Sequence, residues 1–126
     1  MIRLLALDMD GTCLNGRSRM TEETIRTIRK AADAGIIIVP TSGRPLTCLP
    51  YQMTQEKGLY RYTITSNGAQ VVDLEEKKTL FRMLMKRERV VQFLRECEEL
   101  NVVRMTHIQH RYVMEGPLME VAGRIV

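Results

Sequence analysis

The sequence predicts an α/β fold built on a parallel sheet, and three observations predict it. Short apolar runs alternate with helical patterns in the order strand, helix, strand, helix, strand, which is the order of right-handed parallel α/β sheets. The first two runs are nearly continuous rather than alternating, the habit of strands covered on both faces. Each of the first three runs also stops at a polar, glycine-bearing loop.

The elements follow in order. Residues 2–7 form the first apolar run, expected to be buried on both faces, and it ends at Asp8. Residues 9–20 carry Gly, Asn, Ser and Arg and read as a loop. Thr21 is a plausible N-cap for the helix that follows, with Glu22 and Glu23 at the positive end of its dipole. Ile25, Ile28 and Ala32 give that helix one apolar face, and Gly35 supplies a left-handed stop. Residues 36–39 form a second buried strand. Pro45 then suits the first turn of another helix, kinked or begun as 3₁₀ near Pro50 and ended by Gly58. Residues 62–65 make a third strand. After it the pattern changes to a hairpin, residues 70–73 and 79–83 around a turn at 74–78. A second amphipathic helix places Val90, Phe93, Leu94, Cys97 and Leu100 on one stripe, expected to pack on a small sheet. Residues 102–106 and 112–115 close with another hairpin leading to Gly116 and Pro117. The division falls near residues 83–86, giving one unit over 1–83 and a second over 84–126.

Composition excludes several classes. The 126 residues fit one compact domain at roughly 100–200 residues each. With 44% hydrophobic and 27% charged residues, the chain is neither disordered nor of low complexity. No apolar run approaches the ~18 residues of a membrane helix, and the amino terminus lacks a small-residue cleavage pattern. Neither a membrane partner nor a signal peptide is expected. Cys13, Cys48 and Cys97 are odd in number and far apart, which suits a reducing, cytoplasmic setting rather than a disulfide framework. The net charge of +4 suits an anionic substrate, but the basic residues are interspersed with Glu, so no nucleic-acid partner is expected.

Ligands of open α/β sheets bind beyond the carboxyl ends of the strands. Those ends carry Asp8-Met9-Asp10-Gly11-Thr12, Thr41-Ser42-Gly43-Arg44 and Ser66-Asn67-Gly68. Two carboxylates, several hydroxyls, three glycines and an arginine fit a phosphate with a hard metal ion, held by carboxylate oxygens and by backbone N–H groups. The three loops, in order and in strand context, resemble the haloacid dehalogenase-like hydrolases, and in particular the Cof-type (class IIB) sugar-phosphate phosphatases. The resemblance implies a partial Rossmann-like core with the beginning of an α/β cap over 84–126. It implies Asp8 as nucleophile forming an aspartyl-phosphate, and Asp10 as general acid and then base. Ser42, Gly43, Arg44, Gly11 and Thr12 would bind phosphate, Asp8 and Asp10 would bind Mg²⁺, and Asn67 would lie on a substrate loop. The implied substrate is a small phosphorylated metabolite, often a sugar phosphate.

The pattern departs from the family in two ways. Cys13 stands where an aliphatic residue is usual, and a small apolar thiol fills that place. The family's Lys and its acidic Gly-Asp-rich loop normally follow the cap and have no counterpart here; Lys77, Lys78 and Lys86 lie too early. The 126 residues are therefore expected to be a truncated portion with little or no turnover. The alternative is a non-catalytic phospho-ligand-binding or interaction module, forming a homo-oligomer through the exposed edge of the Asp8 strand. Arg44 fits a phosphate contact and a structural role equally well. Asn67-Gly68 equally suits the start of the hairpin. An EF-hand is excluded because Cys13 occupies the position where that loop needs Gly. His107 and His110 read as packing or surface residues, and Arg17 and Arg19 as a loop flanking the site.

Overall fold

The computed structural model describes residues 2–50, 52, 58–100, 102–108 and 111–115. The chain forms two compact units, Met1–Met83 and Leu84–Val126. In the first unit the order is β1 (Leu4–Asp8), α1 (Glu22–Asp33), β2 (Ile37–Thr41), β3 (Tyr62–Thr65), β4 (Gln70–Asp73) and β5 (Lys78–Arg82). They make one sheet in the order β1-β2-β3-β4-β5. The pairs β1–β2 and β2–β3 are parallel, while β3–β4 and β4–β5 are antiparallel. The fold is thus the expected α/β class, with all three parallel strands ending on one side.

Local chemistry accounts for α1. The Thr21 side chain accepts from the Thr24 N–H at 3.2 Å, and Glu22 and Glu23 occupy the first turn. At the other end Gly35 has φ +82°; its N–H donates to the Ala32 carbonyl, and the Ile36 N–H donates to that of Ala31. This pair of bonds is the Schellman arrangement that only a left-handed residue allows cheaply. Ile28 of α1 joins Met9, Leu14, Met20, Ile38, Leu49, Leu59 and Tyr60 in the core, with Cys13 and Leu7 packed against them. Cys13 accordingly fills apolar space.

One expectation needs correction. β1 is not buried on both faces: Leu4 is 54% and Leu5 36% exposed, and Ile37, the partner of Leu4 in β2, is 47% exposed. Among the described residues β1 pairs with β2 alone, and α1 covers one face of the sheet, so the Leu4–Ile37 corner stays open. After Pro45 comes the short 3₁₀ start expected near Pro50, at Leu46–Cys48. Leu49 is extended (ψ 143°), the conformation that a following proline imposes, and this stops the turn before Pro50. The rest of that expected helix lies on residues 51 and 53–57, outside the described residues.

In the second unit α2 (Arg87–Glu96) precedes the antiparallel pair β6 (Arg104–Ile108) and β7 (Arg111–Glu115). The Arg104 guanidinium ties β6 to the end of α2, donating to the Leu94 carbonyl at 3.0 Å with Glu98 at 3.8 Å. The apolar stripe of α2 is only partly covered. Val90, Leu94 and Cys97 are half-buried, but Phe93 and Leu100 are exposed, so the expected close packing on the small sheet does not extend to them. His107 packs edge-on against Tyr112 at 4.7 Å, as a packing histidine; His110, Gly116 and Pro117 lie outside the described residues.

Candidate functional site

The first loop is built around a buried pivot. Met9 is fully buried, and its carbonyl accepts from the N–H groups of Thr12, Cys13 and Leu14 at 3.3, 3.1 and 2.9 Å. Gly11 takes φ +77° to make the turn; no atom crowds its Cα, so conformation and not space asks for glycine. With Met9 facing inward, Asp8 and Asp10 project away from it to different partners. Asp8 Oδ2 accepts from the Thr12 hydroxyl at 2.7 Å.

Asp10 meets the second loop. Arg44 donates from Nη2 to Oδ1 at 2.6 Å and from Nε to Oδ2 at 3.1 Å, a two-pronged ion pair. The Ser42 hydroxyl donates to the same Oδ2 at 3.3 Å and accepts from the Arg44 N–H at 3.1 Å. The Arg44 bonds, helped by its charge and by Ser42, hold the Asp10 carboxyl below its ordinary value against a smaller opposing effect of burial. Burial, with the Asp8 charge, pushes the Cys13 thiol up, so it is a neutral filler beside the site.

The third loop is stitched onto the second. The Ser66 N–H donates to the Arg44 carbonyl at 3.0 Å, and the Asn67 N–H to that of Ser42 at 3.3 Å. Ser66, Asn67 and Gly68 all have positive φ (53°, 54° and 88°), a left-handed turn that lays the Asn67 side chain over Gly43. A Cβ on Gly43 would sit 2.7 Å from Asn67 Oδ1, so here the glycine answers a close approach.

The structure therefore brings Asp10, Ser42 and Arg44 into direct contact, and Gly43 against Asn67. It pairs Asp8 with Thr12, and the bonds described for Asp8 do not reach the Ser42 group. Two further contributors carried no sequence signal. Ser18 Oγ accepts from Arg44 Nη2 at 3.1 Å, and the Cys48 carbonyl from Nη1 at 3.4 Å. Both are single polar groups reached across the fold by one long side chain, which spacing does not reveal. For a metal, Asp8 and Asp10 supply hard oxygen donors, and among the described residues no cluster of three or more acidic, His or Cys side chains joins them. That donor set suits Mg²⁺, which binds through one or two carboxylates and keeps several waters or substrate phosphate oxygens.

The chain matches the family described as haloacid dehalogenase-like hydrolase over residues 5–121. It is 38% identical over 84 residues to the 5-amino-6-(5-phospho-D-ribitylamino)uracil phosphatase YcsE of Bacillus subtilis, covering 63% of this chain and 33% of that one. It is 36% identical over 75 residues to the HMP-PP phosphatase of Yersinia pestis, covering 60% and 27%. The fold superposes on that of a HAD subclass IIB sugar phosphatase with a TM-score of 0.83 at 23% identity, covering 98% of this chain and 47% of the other. The chain thus spans about a third of the length of these curated relatives.

Proposed function

The chain belongs to the haloacid dehalogenase-like hydrolases, and from that premise we propose that the whole protein is a cytoplasmic Cof-type phosphatase of small phosphorylated metabolites. The observation that carries the reading is the meeting of three loops at the carboxyl ends of three parallel strands, where Asp10, Ser42 and Arg44 touch and Asp8 stands beside them. The relatives' names, phosphatases of a phosphoribityl compound, of HMP-PP and of a sugar phosphate, support a small phosphorylated substrate and leave its identity to the rest of the protein.

In the proposed reaction a carboxylate oxygen of Asp8 attacks phosphorus, the ester P–O bond breaks, and the leaving alcohol takes a proton from Asp10. Water then attacks the aspartyl-phosphate, Asp10 takes its proton, and phosphate leaves with Asp8 restored. Asp10 paired with Arg44 is a carboxylate, the form that serves the second step; the first step needs its proton. The Ser42 hydroxyl, the Gly43 and Gly11 N–H groups and the Thr12 hydroxyl would hold the phosphoryl oxygens, and Asn67 would border the substrate. The Asp8 side chain and the Asp10 residue would hold Mg²⁺, which when bound offsets repulsion between Asp8 and the phosphoryl oxygens. We expect turnover by these 126 residues alone to be weak, because the family's Lys and acidic loop have no counterpart among them.

Beryllium fluoride with Mg²⁺, a mimic of a carboxyl-bound phosphoryl group, tests the site without needing turnover. Bound ¹⁹F signals are expected with the wild-type chain and not with Asp8→Asn; equal behaviour of the two contradicts the reading.

A second reading rests on the edge of β1, which among the described residues pairs with β2 alone. That edge would accept a strand from another copy of the chain, so the chain acts as an oligomerising module. Light scattering decides: a dimer that forms with concentration supports it, and a monodisperse monomer counts against it.

A further inference from the structure

We propose that Arg44 is a positioning residue, which orients the Asp10 carboxylate and latches the loop after β1, and that it is not itself a ligand of the phosphoryl group. The proposal rests on the reading of Asp8 and Asp10 as nucleophile and acid/base.

Among the described residues, three groups accept from four of the N–H groups of the guanidinium. Nε and one Nη2 N–H face Asp10 at 3.1 and 2.6 Å, the second Nη2 N–H faces Ser18 Oγ at 3.1 Å, and one on Nη1 faces the Cys48 carbonyl at 3.4 Å. A phosphoryl oxygen drawn to this fork would compete with an ionised carboxylate already seated in two-pronged geometry. The backbone of Arg44 is pinned from both sides, its N–H by Ser42 Oγ and its carbonyl by the Ser66 N–H. The side chain therefore springs from a fixed base. Its reach to Ser18 matters because Ser18 is a non-glycine residue at φ +54°, in a turn closed by its own N–H to the Asn15 carbonyl at 2.9 Å. One guanidinium thus joins Asp10, the far end of the same loop and the turn after β2. Ser42 Oγ, bonded to Asp10 Oδ2 and 6% exposed as a residue, is the second support of that carboxylate. Lysine offers one ammonium point and cannot reproduce the fork.

Two measurements on the full 126-residue chain test this. In ¹H–¹⁵N spectra the Arg44 Nε–H is expected as a shifted, slowly exchanging signal that Asp10→Asn removes and Asp8→Asn leaves in place. In the second, Arg44→Lys and Arg44→Ala are expected to bind beryllium fluoride with Mg²⁺ within about twofold of wild type, whereas loss of a charged phosphate ligand would weaken it about tenfold or more. A tenfold loss in Arg44→Lys overturns the proposal, as does an Nε–H signal indifferent to Asp10→Asn. If the wild-type chain binds no mimic, the phosphatase reading fails instead, and the Nε–H signal still decides whether Asp10 is the partner of Arg44.

Discussion

Two Asp–Arg pairs stand at opposite ends of the same sheet, and they are built differently. At the loop end, among the described residues, the Asp10 carboxylate is held by the side chains of Arg44 and Ser42, and about half of its own side chain meets solvent. At the other end, where Tyr62 pairs with Asp73, the Asp73 residue is 2% exposed. Its Oδ1 accepts from the backbone N–H groups of Glu75 and Glu76, each at 3.0 Å, and its Oδ2 meets Arg61 Nε at 3.0 Å. Arg61 in turn reaches Glu76 at 3.3 Å and lies over the Tyr62 ring at 5.2 Å. Backbone donors cannot swing away without undoing the β4–β5 turn, whereas side-chain donors depend on their rotamers. The Asp73 pair is therefore built into a turn, and the Asp10 pair is a latch made of side chains.

The largest test of this contrast is to remove each carboxylate. Asp73→Ala is expected to lower the urea midpoint well beyond Asp10→Ala, because it strands two turn N–H groups and the Arg61 cluster. Equal losses would break the comparison.

Acid should tell the pairs apart next. The backbone bond from Glu76 leads the effects that hold Asp73 below its ordinary value, with Arg61 and the Glu75 N–H adding to it against burial. A carboxyl lowered in the folded state stabilises fully above its unfolded value near 3.8 and loses that contribution as pH falls through the lower folded value. Unfolding curves taken on acidification below about pH 4 should flatten in Asp73→Asn and change less in Asp10→Asn, whose partner is partly screened by water.

A neutral bond sets the scale between them. Thr63 is fully buried, and its hydroxyl donates to the Pro40 carbonyl at 3.1 Å, beside a strand that lacks one N–H. Thr63→Val should cost about 1 kcal/mol in chemical denaturation. The smallest effect belongs to the left-handed turn. Ser66→Gly should raise stability by about 1 kcal/mol or less, by relieving a side chain at φ 53°.

What was legible in the sequence was local. Thr21 and Gly35 bracket α1 as expected, since caps act within a few residues, and β3 takes its expected bounds at Tyr62 and Thr65. The Asp8, Ser42 and Asn67 loops were legible because strand ends and turn residues mark them. Exposure of Leu4 and Ile37 was not, because an apolar run has the same composition at the edge of a sheet as at its centre. The Pro45–Pro50 stretch was legible as a local feature: the short 3₁₀ start expected there is Leu46–Cys48, and it stops where Leu49 turns extended ahead of Pro50. Arg44 and its contact with Ser18 were hidden for another reason. A guanidinium suits a carboxylate and a phosphate alike, and its contact with Asp10 at 2.6 Å is made only by the fold.

The central claim, that Asp8 accepts a phosphoryl group, is tested most directly by trapping it. The chain is incubated with Mg²⁺ and a small acyl phosphate, quenched in acid, reduced with borohydride and mapped by mass spectrometry. The account predicts modification at Asp8, absent in Asp8→Asn. Modification elsewhere, or none on a chain that retains its fold, would contradict it.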